Sequence, residues 1–373
     1  MPAANELVNE AARQLTICNA CRYCEGYCPV FPAIEIRRDF PQGDVFFLAN
    51  LCHDCRACYY ACMYAPPHPF AVNLPQVLTE ARLESYRAWS WPGLFARAFT
   101  NWRAGVALAG SISAIVVALA VFLISPGRLV EVYRGPGAFY QVIPFSVMLI
   151  TALFLTLYAA SVCLMGAVHF WRETGGALQD RGWMHSLWQS TTDILTFRWL
   201  RGGGPGCYYP QQAPSSSRRI YHSLVYFGFL SATISTILAA IYQHFLHELP
   251  PHPVASAPVL FGIVGGVAMI VGVCGLIILK IGSDREPADA RAYAMDYLFL
   301  ASLGLASLSG LLTLGFRSTS AMGSLLSIHL AVIAALFVTI PYGKFVHSIY
   351  RSLALLRHHL EQSFQPGTSG MRQ

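Results

Sequence analysis

Residues 18–29 read CNACRYCEGYCP, and residues 52–63 read CHDCRACYYACM. The spacing is the same twice: Cys18-x2-Cys21-x2-Cys24-x3-Cys28 and Cys52-x2-Cys55-x2-Cys58-x3-Cys62. This is the run with which bacterial ferredoxins wrap an iron–sulfur cubane. Three cysteines at two-residue gaps can meet three corners of one cluster from a single tight loop. In two-cluster ferredoxins the fourth points away and ligates the other cluster. The spacing therefore predicts one [4Fe–4S] cluster on Cys18, Cys21, Cys24 and Cys62, and another on Cys52, Cys55, Cys58 and Cys28. Zinc is the rival. Its ribbons use paired knuckles of two ligands each, which leaves the third cysteine of each run and the x3 gap unexplained.

Around these runs the chain changes solvent. It has 373 residues, with 55% hydrophobic and only 12% charged, and a mean hydropathy of +0.46. Soluble domains carry about 25% charged residues, so a water-facing enzyme, a disordered chain and a nucleic-acid binder are all excluded. The polar residues concentrate in 1–103, expected to be a mainly helical, ferredoxin-like cytoplasmic domain. Met1–Gln14 has no apolar core and includes Glu6, Glu10 and Arg13, so no signal peptide is expected. In a reducing compartment, clustered cysteines read as metal ligands rather than disulfides.

After Arg103 come six stretches of about 20 residues or more: Ala104–Ser125, Phe139–Val168, Tyr221–Phe245, Ser256–Leu279, Tyr297–Phe316 and Ser318–Ile340. None contains Asp, Glu, Lys or Arg. About 20 helical residues cross a hydrocarbon core, and no soluble core hides six such stretches. The expected fold is mainly α: the two-cluster domain, then a six-helix transmembrane bundle of cytochrome b type over 104–348, then a cytoplasmic tail at 349–373. Counted with the N-terminal region, one side carries 22 Lys/Arg, and the other only Arg128, Arg134 and Arg317. The positive-inside rule then puts both termini in the cytoplasm. Gly202–Gly206 and Pro214–Ser217 read as loop punctuation.

Ionisable residues within membrane helices are functional candidates by default. His329 and His347 are 18 residues apart, five helical turns, and so share a face. His222 and His244 are nearly in phase on the third span. Antiparallel packing would oppose His222 to His347 on the inner side and His244 to His329 on the outer side. Neutral imidazoles on facing helices are how bundles ligate haem axially, so one or two b-type haems are expected. His169 competes with His222, and His247 with His244. His53, His68, His185, His252, His358 and His359 read as surface residues. Arg172, Arg218 and Arg219 read as inner-side anchors able to pair with haem propionates. Cys163 and Cys274 read as buried apolar cysteines, and Cys207 as a free loop thiol.

Cys18–Pro32 (CNACRYCEGYCPVFP) and Leu51–Pro75 (LCHDCRACYYACMYAPPHPFAVNLP), followed by six hydrophobic helices, resemble the tricarballylate-utilisation protein B family (the CitB-type membrane iron–sulfur proteins) over nearly the whole chain. The resemblance implies a role in re-oxidising the reduced flavin of a partner, tricarballylate dehydrogenase, with electrons passing through the clusters and haem to membrane quinone. The membrane part is similar to di-haem cytochrome b subunits, where histidine pairs on two helices hold the haems. Two alternatives stay open: an iron–sulfur redox sensor without quinone-linked flux, and an electron-transfer subunit of a different flavoprotein. No Gly-x-Gly-x-x-Gly dinucleotide loop follows a strand, so dehydrogenase activity is not expected of the chain alone.

Overall fold

The structure is a computed structural model and describes residues 2–99, 101–124, 126–175, 182–201, 204 and 206–363. Six of its helices are long and apolar enough to cross a membrane. They are α7 (Trp102–Leu123), α10 (Phe145–Glu173), α12 (Ser217–Phe245), α13 (Ala257–Ile281), α14 (Ala290–Gly315) and α15 (Met322–Thr339). The chain is thus a multi-pass membrane protein by length and composition. Its outward faces carry exposed Phe122, Phe154, Val264 and Ile278, the apolar surface a bilayer covers.

The second span starts at Phe145, later than its hydropathy suggests. Residues 138–142 form a separate short helix, α9 (Ala138–Val142), and Pro144 sets the break before α10. Between α7 and α9 lies α8 (Pro126–Val130). α14 is capped by Asp289, whose carboxylate accepts the Ala292 N–H at 2.9 Å, and α13 has Pro258 in its first turn. Both devices satisfy or remove a donor that a helix start leaves unpaired. α12 packs on α13, α13 on α14, α14 on α15, and α15 on α7 and α10.

The N-terminal region holds α1 (Pro2–Cys21), α2 (Val30–Glu35), α3 (Gln42–Leu51), α4 (Ala57–Tyr60), α5 (Leu74–Trp89) and α6 (Gly93–Phe99). Its core of Leu15, Phe31, Phe46, Phe47, Leu48 and Leu78 is fully packed. The long connection after α10 contributes α11 (Trp183–Thr196), a 3-10 turn at Arg198–Arg201, and strands β1 (Cys207–Tyr208) and β2 (Pro214–Ser215), paired antiparallel with Cys207 opposite Ser215. Of the glycine-rich stretch expected there as a loop, residues 202, 203 and 205 lie outside the described residues.

The C-terminal helix α16 (Val346–Ser363) is the main surprise. It packs against α3, α10 and α11. Val346, Tyr350, Ala354 and Leu355 are buried in the same core as the N-terminal helices. Arg37 and Arg357 share Asp44 and Glu361 in a four-membered ion network joining α16 to the start of α3, with distances of 2.6–3.2 Å. His358 and His359 are consequently buried, contrary to their surface reading. His359 Nε2 lies 3.0 Å from Asp193 on α11. His53 and His252 are also buried. Charge alone misplaces all four, because a histidine with a partner is tolerated inside. Cys207 is buried too, its Sγ donating to Leu200 O at 3.2 Å. Cys274, expected inside, is exposed on α13: an apolar neighbourhood in a membrane helix says nothing about which face a residue occupies.

Candidate metal centre

The two cysteine loops are built alike. Cys18 and Cys21 end α1, and Cys52 caps α3. After the second cysteine of each loop the chain takes a left-handed residue, Arg22 (φ 56) and Arg56 (φ 63), with a third at Asp54 (φ 50). Such conformations are uncommon for residues with a side chain, and here they turn the backbone sharply enough to aim successive cysteines inward.

Cys18, Cys21, Cys24 and Cys62 line one cavity, walled by Ile17, Phe31, Val72 and Leu74 and also bordered by Cys58. Burial, then the neighbouring Cys24, Cys62 and Cys21, push the Cys18 thiol up to about 12. Burial with Cys62 and Cys21 does the same to Cys24, also to about 12. Cys28 answers instead to Cys55 and Cys52 after burial, and Cys58 to Cys55, Cys28 and Cys52. Both are raised well above the ordinary thiol value. Cys62 thus lines the same cavity as the first loop's cysteines, and Cys28 has Cys55 and Cys52 among its neighbours. Thiolates crowded into one site need a cation among them, which is the demand an iron cluster meets. Among the described residues no three Cys, His, Asp or Glu side chains converge as a site for one metal ion.

The second loop is held from several directions. Tyr208 N–H donates to Cys55 O at 2.9 Å. Arg82 Nη2 and Arg351 Nη2 both donate to Cys52 O, at 2.6 and 2.8 Å. Arg218 donates to Asp54 O at 2.5 Å, so it serves this loop. Arg219 donates to Thr196 O at 2.7 Å, and Arg172 is exposed. Sequence reading missed Arg82 and Arg351 as parts of this site. No local motif marks them, since their targets are backbone carbonyls far along the chain.

The histidines divide. His222 on α12 and His347 on α16 come together, with ring centres 6.3 Å apart and planes at 83°. His347 Nδ1 lies 2.5 Å from Lys344 O. A carbonyl only accepts, so Nδ1 carries the proton and Nε2 keeps its lone pair. Phe197 packs edge-on to His222 and Phe299 to His347. Two imidazoles brought together in this way are donors that would suit a metal-centred group.

The outer pair is not assembled. His244 is exposed beside Phe145. His329 lies 3.0 Å from Ser309 Oγ on α14 and packs against Gly310. Two helices, α13 and α14, stand between α12 and α15 in the packing order. His169 is exposed on α10. The expected common face of His329 and His347 is broken, because the chain turns between α15 and α16, and helical phase could not say which helices are neighbours.

A helical, cysteine-rich ferredoxin-like domain seated on six membrane-length helices defines an iron–sulfur membrane protein. The sequence profile described as citrate utilization protein B matches residues 100–367, and that of its Fer4-like domain matches 11–88. The chain is 38% identical over 367 residues to citrate utilization protein B of Escherichia coli, covering 97% of this chain and 95% of that one. It belongs to the citrate utilization protein B family, as the CitB-type resemblance implied. No solved structure matches it.

Proposed function

We propose that this chain carries electrons from the reduced flavin of a partner dehydrogenase to membrane quinone. Cys18, Cys21, Cys24 and Cys62 hold one [4Fe–4S] cluster, and Cys28, Cys52, Cys55 and Cys58 the other. His222 and His347 hold a b-type haem. These groups supply one-electron chemistry, which divides a two-electron flavin oxidation into single steps. The chain's own residues position them: Arg82, Arg351 and Tyr208 fix the second loop, Lys344 O fixes the His347 tautomer, and Phe197 and Phe299 exclude water.

One observation carries this reading. Arg351 sits one turn after His347 on α16 and bonds the second cysteine loop. Arg218 sits one turn before His222 on α12 and bonds the same loop. The two helices that supply the histidine pair thus also grip the cysteine loop. The tricarboxylate in the relative's name, citrate, together with the family resemblance, supports tricarballylate dehydrogenase as the flavoprotein. The Lys/Arg distribution supports a bacterial inner-membrane location with both termini cytoplasmic, a domain boundary near residue 103 and a membrane part reaching about 348.

The test is direct. The purified full chain is assayed for iron, acid-labile sulfide and haem, then reduced and mixed with a quinone analogue. About nine irons per chain, roughly eight in clusters and one in haem, and a b-type absorption band that the quinone bleaches are expected. A colourless, zinc-loaded protein refutes the proposal.

A further inference from the structure

The two cysteine loops share a sequence pattern but not an electrostatic setting. Arg22 in the first is exposed. Arg56, its counterpart in the second, is 1% exposed and donates to Asp284 O at 3.0 Å and Tyr293 Oη at 3.1 Å. Arg82, 3% exposed, and Arg351 converge on Cys52 O, and Arg218 on Asp54 O. The carboxylates nearby are Asp54, 3.8 Å from Arg56, and Asp284, which accepts from Tyr60 Oη at 2.8 Å. Among the described residues none is within ion-pair distance of Arg82, Arg218 or Arg351. Arg351 Nε and Arg56 Nε are sealed from solvent with no acceptor.

Burying cations without counter-ions is costly, so this arrangement calls for an anion. A thiolate-held iron–sulfur cluster is anionic and becomes more so on reduction, and its potential follows local charge and hydrogen bonding. The first loop lies nearer solvent, beside exposed Tyr23 and Met63. Water there screens charge about fourfold more than a protein setting of moderate dielectric does.

We propose that Arg82, Arg218 and Arg351 poise the cluster at Cys28, Cys52, Cys55 and Cys58 as the higher-potential member of the pair, so that electrons enter at the exposed Cys18–Cys24 loop and collect next to His222 and His347. The inference rests on the two-cluster reading above. The step is a one-electron transfer with no proton or bond change: the first cluster, reduced by the flavin, is oxidised as the second is reduced, and the haem then re-oxidises the second.

The test is an EPR-monitored redox titration of the full chain in detergent, with Cys55→Ser identifying which signal belongs to the second loop. That signal should have the higher midpoint. Arg351→Gln should shift it to lower potential by at least tenfold in its equilibrium constant, 59 mV for one electron, leave the other signal in place, and be rescued by Arg351→Lys. The inference fails if the Cys55→Ser signal is the lower one, or if Arg351→Gln moves neither signal or both alike. Should Arg351→Gln not accumulate, the wild-type order of midpoints decides. Absence of iron and sulfide sinks the two-cluster reading itself, whereas clusters in the opposite order sink this inference alone.

Discussion

Gly272→Ala tests whether the seam between α12 and α13 sets the position of His222. A Cβ at Gly272 would stand 2.7 Å from Tyr221 O and 2.9 Å from Val225 N, both backbone, against ordinary contact from 3.4 Å. The helices must part by about 0.7 Å. Overpacking of this kind costs about 1–3 kcal/mol, while glycine to alanine in a helix returns about 1 kcal/mol. Gly110 on α7 has nothing within 4 Å of its notional Cβ, so Gly110→Ala takes the gain without the clash. Tyr221 adjoins His222, so the displacement acts on the 6.3 Å ring separation. Metal sites hold ligand distances within about 0.2 Å. The expected result is a chain that melts below Gly110→Ala and carries less haem, measured by thermal unfolding in detergent and by haem per polypeptide. Equal melting and full haem in both variants would refute the reasoning, since the seam would then have slack.

Asp296 lies 2.6 Å from Lys280 and 2.9 Å from Lys344. Asp296→Asn leaves two cations facing each other and should destabilise by about 3–5 kcal/mol, read as a lower melting temperature that Lys344→Met partly restores. Burial works to raise the Asp193 carboxyl, but the donors His359 and Trp199 and the charge of Arg198 outweigh it and hold it below the usual aspartate range. A lowered folded pKa stabilises above the unfolded value of about 3.9 and loses that effect as pH falls through the folded one. Melting curves of Asp193→Asn and the natural chain should therefore differ at neutral pH and converge in strong acid; a gap that persists there contradicts the assignment. His347→Ala and His222→Ala should each abolish haem binding, while His169→Ala and His329→Ala should retain it. Retention in His347→Ala would move the site elsewhere.

The cysteine spacing and the six uncharged stretches were legible without coordinates, because both are properties of one segment at a time. A loop of fixed gaps can serve only a few metal geometries, and about 20 apolar residues have one solvent that suits them. The histidines show where that legibility stops. Phase along a helix put His329 with His347 and His222 with His244, but the first pair is split, because α15 ends at Thr339 and α16 begins at Val346. Only packing order, with α12 against α13 and α16 folded back over α3, α10 and α11, joined His222 to His347 and left His244 and His329 apart. The same holds for α16, whose charged sequence reads as a tail until its apolar face meets the N-terminal core. It holds as well for Arg82, Arg218 and Arg351, whose targets are backbone carbonyls that no motif can name. The sequence by itself determined what each segment is made for. The tertiary structure decided which segments meet, because contacts between distant residues depend on the summed fit of whole helix faces.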